Sequence, residues 1–290
     1  LQRRATRARL AVRGTFSPPG PARHTVGAGL TRTLGRTIHT MPHNRNSASR
    51  LHAFLTTLPQ HADNTQVLSA WANAFVVEGA DGTRQARLVT EQLSLLANEI
   101  DFIRAGMAQA NFSQHLYSST LSALEAALSP MQLPSTWTSV RQYFKPEHML
   151  ALQFCGEILP DEEDEISQED LEGIQTLVTE LEAFANTTST APVRLKRLLG
   201  SQAANIRGAL AGYRIAGAKA LRDAVRASYG ELVEAKDIIS EHRDSPEVSK
   251  LAEVWRKVNT VADTALKIDG VAQLGHRAWL FIESVIKGAA

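Results

Sequence analysis

The sequence predicts an all-α fold, a multi-helix bundle of one or two helical subdomains behind a basic, disordered N-terminal tail. Apolar residues recur at three-four spacing over most of the chain, and strand-like alternation is convincing nowhere. Acids and bases are also segregated, because the first acidic residue is Asp63 although the net charge is only +1. The boundaries suggested are a tail over 1–45, an N-terminal helical subdomain over 46–160 and a C-terminal one over 161–290.

Residues 1–62 hold ten arginines, no lysine and no acid, and Pro- and Gly-rich runs such as SPPGP interrupt them. Few large apolar side chains can pack there, so disorder is expected. An Arg-rich, acid-poor leader has the character of a mitochondrial or chloroplast presequence, and a polycation also attracts nucleic acid or anionic lipid without specificity. A third reading places this segment outside the native protein, since Met41 stands just before the first well-patterned segment. Nucleic acid is expected as a partner only through this tail. The expected location is cytoplasmic, or the mitochondrial matrix if 1–40 is a presequence.

Helix signals follow in order. A short helix is expected around Leu51–Leu58, and Asn64 is placed to cap a helix carrying Val67, Leu68, Trp71, Ala74 and Phe75. Asp81-Gly82-Thr83 reads as a turn and cap before about six turns bearing Leu88, Leu95, Leu96, Ile100 and Ile103. A helix from about Ser113 runs to Ser129-Pro130, and another from Ser135 toward Phe144 should stop or kink at Pro146. The segment His148–Leu159 carries the single cysteine, Cys155, in an apolar run where a thiol behaves as a small hydrophobe.

The second half opens with PDEEDEISQED, residues 160–170. Ser167 and Asp170 match the spacing of a helix N-terminal box, with Leu171, Ile174, Val178, Leu181 and Ala185 behind them as an apolar seam. Asp161, Glu162, Glu163, Asp164 and Glu165 have no such local role. They read as a solvated linker, or as an acidic surface for the arginine tail, the basic face Arg207–Arg226 or a partner.

Ser201–Ser228 reads as one helix with small residues at successive i+4 positions, among them the helix-packing candidates Gly208, Gly212, Ala216 and Ala220. Ser245-Pro246-Glu247 starts an amphipathic helix with Leu251, Val254, Trp255, Val258 and Val261 inside. Val271–Lys287 is expected to form a last helix, in which Trp279, Phe281 and Ile282 offer an apolar contact surface.

The sequence contains no phosphate loop, no dinucleotide fingerprint, no zinc signature and no nucleophile elbow. The acidic run lacks the central glycine of an EF-hand loop. No catalytic residue, cofactor or metal ligand is therefore assigned. The favoured reading is a non-enzymatic scaffold or regulatory protein working through protein partners or self-association. The alternatives are a toxin-like effector in peripheral contact with membranes, with no spanning segment, and an enzyme whose site gathers His115, Glu125, His148 and His242.

Overall fold

A computed structural model describes residues 45–58, 61–77, 79, 81–186, 191–267, 280 and 283–284. Among them the fold is all-α, with eleven α-helices and no β-strand. The tail over 1–44, most of the expected C-terminal helix, and Trp279, Phe281 and Ile282 lie outside the described residues.

α1, Ser47–Thr56, begins one turn before its expected start because Asn46 caps it: the Asn46 side chain accepts from Ser49 N–H and the Ser49 hydroxyl accepts from Asn46 N–H. α2, Val67–Ala74, follows without the cap expected from Asn64. Gln66 stands at its N-cap and makes no side-chain cap bond, while Val67 and Leu68 N–H donate to the carbonyls of Ser135 and Leu133. A neighbouring loop thus takes over the task of a cap, which local spacing does not show.

α3, Gly82–Gln109, is capped by Asp81 as the turn motif suggests. The region expected to be helical from Ser113 instead has a 3₁₀ turn, Gln114–Leu116, ahead of α4, Ser118–Ala127. α5, Trp137–Arg141, is short, and Pro146 starts α6, Pro146–Ile158, at a position where the missing N–H costs nothing.

α7, Gln168–Asn186, carries the box read from sequence, with Asp170 N–H donating to the Ser167 hydroxyl and that hydroxyl donating to the Asp170 carboxylate. The single helix expected over Ser201–Ser228 is two antiparallel helices, α8, Val193–Ala216, and α9, Ala218–Glu234. Gly217 breaks them apart with φ +63, a left-handed value that glycine tolerates. A short α10, Lys236–Glu241, leads to α11, Pro246–Ala265, which Ser245 caps by accepting from Val248 N–H.

Two apolar cores result. One gathers α1 to α6 around Leu51, Trp71, Leu96, Ile103 and Leu124, and takes only Ile215 from the second half. The other gathers α7 to α11 around Ile174, Leu199, Leu221, Leu251 and Trp255. Trp255 Nε1 donates to Gln202 at 3.0 Å, so its buried polar end is satisfied. The chain crosses between the cores through residues 160–165.

Candidate functional site: a buried ion network at the crossing

The acidic residues 161–165 run as an extended strap held between Arg45, ahead of α1, and residues 265–267 at the end of α11. Glu162 N–H donates to Arg45 C=O, Lys267 N–H donates to Glu162 C=O, and Asp164 N–H donates to Ala265 C=O. Glu163 and Leu266 form an antiparallel bridge. The strap's backbone is therefore satisfied from both sides, as a buried extended segment requires.

Its side chains are spent internally. Asp161 accepts from Arg45 N–H and pairs with Lys267 at 2.6 Å, and Lys267 also reaches Asp164 at 2.7 Å. Glu165 pairs with Arg45 at 3.0 Å and stays exposed. Glu162 meets Arg50 at 2.9 Å, and Glu163 meets the other nitrogen of the same guanidinium at 3.1 Å. Glu163 is only 1 % exposed, so this part of the strap is not a solvated linker.

Arg50 is the hub. Its Nη2 also bonds Glu99 of α3 at 2.8 Å, and its Nε donates to Ile215 C=O. The second oxygen of Glu99 holds Lys219 of α9 at 2.7 Å, and the Lys219 ammonium lies 3.7 Å from the centre of the Phe102 ring. Arg45 Nε also comes within 4.0 Å of Glu163, so the buried carboxylates of Glu99 and Glu163 each face two cations. Burial works against the Arg50 charge, but Glu99, Glu163 and Glu162 outweigh it and hold the pKa above its ordinary value.

Glu163 has a further partner in Ala218 N–H, the first amide of α9, which donates at 2.6 Å. The positive end of the α9 dipole favours a carboxylate there. Gly217 makes the approach possible, because a Cβ at that position would overlap the Glu163 carboxylate. Burial nevertheless raises the Glu163 pKa, against the opposing pull of Arg50, Ala218 N–H and Arg45. Two of the network's contacts, Arg50 Nη1 to Glu163 Oε1 and Lys219 to Glu99 Oε1, are ion pairs at short distance in which the carboxylate oxygens lack hydrogen-bond alignment.

The other candidate residues are dispersed. Gly212 packs against Leu95 of α3 and lies within reach of Ala220, whereas Gly208 faces open space. Together with Ala216 and Ala220 they line an open groove of about 250 Å³ between α8, α9 and α3. His115 is exposed on its 3₁₀ turn, and Glu125 pairs with Arg104. His148 Nδ1 contacts Tyr143 C=O and His242 Nδ1 contacts Ile238 C=O, in different halves of the molecule. Among the described residues no group of three His, Cys, Asp or Glu side chains could hold a metal ion, and no helix is long and apolar enough to cross a membrane.

Sequence reasoning singled out Glu162 and Glu163 but not Arg50, Glu99 or Lys219. A residue pattern that could have flagged them is a charge on an otherwise apolar helix face: Glu99 stands beside Ile100 and three residues after Leu96, among the inward-facing positions of α3.

Fold and site together define an all-α protein with two helical cores joined across a buried ion network. No protein-family model, no curated protein and no solved structure matches the chain.

Proposed function

We propose that this protein is a non-enzymatic helical scaffold or regulatory protein that acts through protein–protein contacts. The observation that carries this reading is the outer face of α6. Leu150 is 67 % exposed and Phe154, one turn on, is 48 % exposed, with the Phe112 ring 5.4 Å from that of Phe154. Meanwhile Leu152 and Cys155 of the same helix are buried in the core. A helix anchored by one apolar face has no structural need of a second, and aromatic and aliphatic side chains presented together are the usual anchors of a protein interface.

The polar residues support the same reading. The densest group of charged side chains is closed upon itself, with Arg50, Glu99 and Glu163 buried and paired, so it offers no open cleft for a substrate. The contact surface in this reading is α6 rather than the acidic strap, whose carboxylates already have cationic partners.

The test is the double variant Leu150→Glu/Phe154→Glu, compared with the wild type by light scattering and by affinity purification from the native host. The expected outcome is a self-associated species or a stoichiometric complex with the wild type, lost in the variant at an unchanged melting temperature. A wild-type chain that stays monomeric at 31.6 kDa and captures nothing that depends on α6 would sink the reading.

A further inference from the structure

α1 and α6 pack closely because Gly156 has no side chain: a Cβ there would lie 3.4 Å from the Ser49 amide nitrogen. Beside that contact is a cleft of about 280 Å³ whose walls include His52 and Thr56 of α1 and Gln153 and Glu157 of α6. Sites for drug-sized molecules run from about 300 to 1,000 Å³ and enclose most of the ligand. This cleft is smaller, and Gln153 and Glu157 leave it open to solvent. Its size suits one inserted side chain.

The polar groups of the cleft are uncommitted. The Thr56 hydroxyl is used within α1, where it donates to the His52 and Ala53 carbonyls. The side chains of His52, Gln153 and Glu157 have neither a hydrogen-bond nor an ionic partner. The strap differs in this respect, since each of its carboxylates is answered by Arg45, Arg50 or Lys267. Burial lowers the His52 pKa, so the ring is neutral at pH 7 and offers one nitrogen as donor and one as acceptor. Among the described residues Glu157 is then the one charged side chain lining the cleft, which therefore attracts a cation.

A metal ion is poorly served here, because a hard cation demands more oxygen ligands than one carboxylate supplies. A guanidinium is well served. Its planar fork carries several N–H donors, and acceptors stand on both walls: the Glu157 carboxylate and Gln153 amide oxygen on α6, and the neutral His52 ring on α1. The neighbouring surface shows what would carry it. Leu150 and Phe154 each stand three residues before a cleft residue, Gln153 and Glu157, and residues so spaced are neighbours on a helix. The exposed apolar strip of α6 and the cleft thus form one continuous surface, apolar on one side and anionic on the other.

We propose that the α1–α6 cleft is an arginine pocket within the α6 contact surface. The partner is a protein segment that sets apolar side chains on Leu150 and Phe154 and an arginine guanidinium among Glu157, Gln153 and His52. The pocket rests on the reading of α6 as a contact surface, and adds to it the charge of the partner.

The probe is Nα-acetyl-arginine amide, titrated into the full chain and followed by NMR at the Gln153 side-chain amide and the His52 ring. Saturable shifts at both are expected, with a Kd of about 1 mM, the range open to a ligand of this size. The citrulline analogue keeps the shape without the charge, and should bind more weakly. Glu157→Gln should weaken the arginine probe about three- to tenfold at an unchanged melting temperature, since an exposed carboxylate is lost and nothing buried is disturbed. Glu147→Gln removes another exposed acid of α6, outside the cleft, and should leave the affinity as it was. In affinity purification from the native host, Glu157→Gln should reduce the complex that Leu150→Glu/Phe154→Glu abolishes. Equal binding of the two probes, equal arginine affinity in Glu157→Gln, or no saturable shift at ten times the expected Kd would each overturn the pocket. A complex that needs Leu150 and Phe154 but ignores Glu157→Gln would overturn it too, and leave the α6 contact surface standing. Glu157-dependent arginine binding in a chain that forms no α6-dependent complex would instead sink the contact surface, and with it the partner.

Discussion

At the scale of single residues, Gly217 and Gly208 make a controlled pair. Both are glycines of the same helical hairpin, but Gly217 has positive φ and would clash with Glu163, while nothing lies within 4 Å of a Cβ at Gly208. Gly217→Ala should therefore destabilise by more than the roughly 1–3 kcal/mol of backbone strain alone. Gly208→Ala should be neutral or stabilise by up to about 1 kcal/mol, because alanine is the better helix former. Thermal or urea melts of the two variants side by side check this. Asp161 and Glu163 form a second pair, with opposite responses to acid. Burial raises the Glu163 pKa, so the folded protein takes up this proton at a higher pH than the unfolded chain, and its contribution to stability grows as pH falls through the raised value. The hydrogen bond from Lys267, chief among its causes, lowers the Asp161 pKa, so its contribution is full above the ordinary carboxylate range and is lost as pH falls through the depressed value. Melting temperatures followed from about pH 6 to pH 3 should fall more steeply for Glu163→Gln than for the wild type, and less steeply for Asp161→Asn. Burial also pushes the Cys155 thiol up to about 11, so it should react with a thiol reagent at pH 8 only after unfolding.

At the scale of elements, what the sequence showed depended on whether the signal was local. The Ser167–Asp170 and Ser245–Val248 caps were legible because a hydroxyl three residues before the amide it serves is a contact made within one turn. Replacing Ser167 with alanine should cost about 1 kcal/mol in a thermal melt, the usual worth of such a cap. The start of α2 was not legible, since its first amides are satisfied by Ser135 and Leu133, 68 and 65 residues away in sequence. The break at Gly217 was hidden for a related reason: Ala216 and Ala220 continue the i+4 series across it, and only the Glu163 carboxylate, brought from another part of the chain, shows why a turn is wanted there. The acidic run stood out in the sequence, but the cations that answer it are Arg45 ahead of α1, Arg50 of α1 and Lys267 just past α11. Charge alone does not tell a solvated run from a buried one.

At the scale of the whole molecule, the ion network sits where a single-core protein would place leucines. Its contribution is conditional. Arg50→Met should lower stability by about 3–5 kcal/mol in chemical denaturation, because it strips a cation shared by three carboxylates, two of them buried. Added salt should change the wild-type melting temperature little, in contrast, since Arg50, Glu99 and Glu163 lie out of reach of mobile ions. A large response to salt in the wild type would mean that the network is wet. The helices that build the two cores are legible from apolar spacing, but their joining is not, because it rests on residues that helical periodicity counts as polar and therefore outward.

Residue 162 donates to the carbonyl of Arg45 and accepts from the amide of Lys267, while residue 164 donates to the carbonyl of Ala265. Residue 45, ahead of α1, and residues 265 and 267, at the end of α11, are thus tied to the same short stretch of backbone. Tension applied at residues 45 and 267 would load these three bonds and the Asp161–Lys267 and Glu165–Arg45 pairs before it reached any helix. A pull on these two positions would therefore be felt first along the acidic strap, on either side of Glu163.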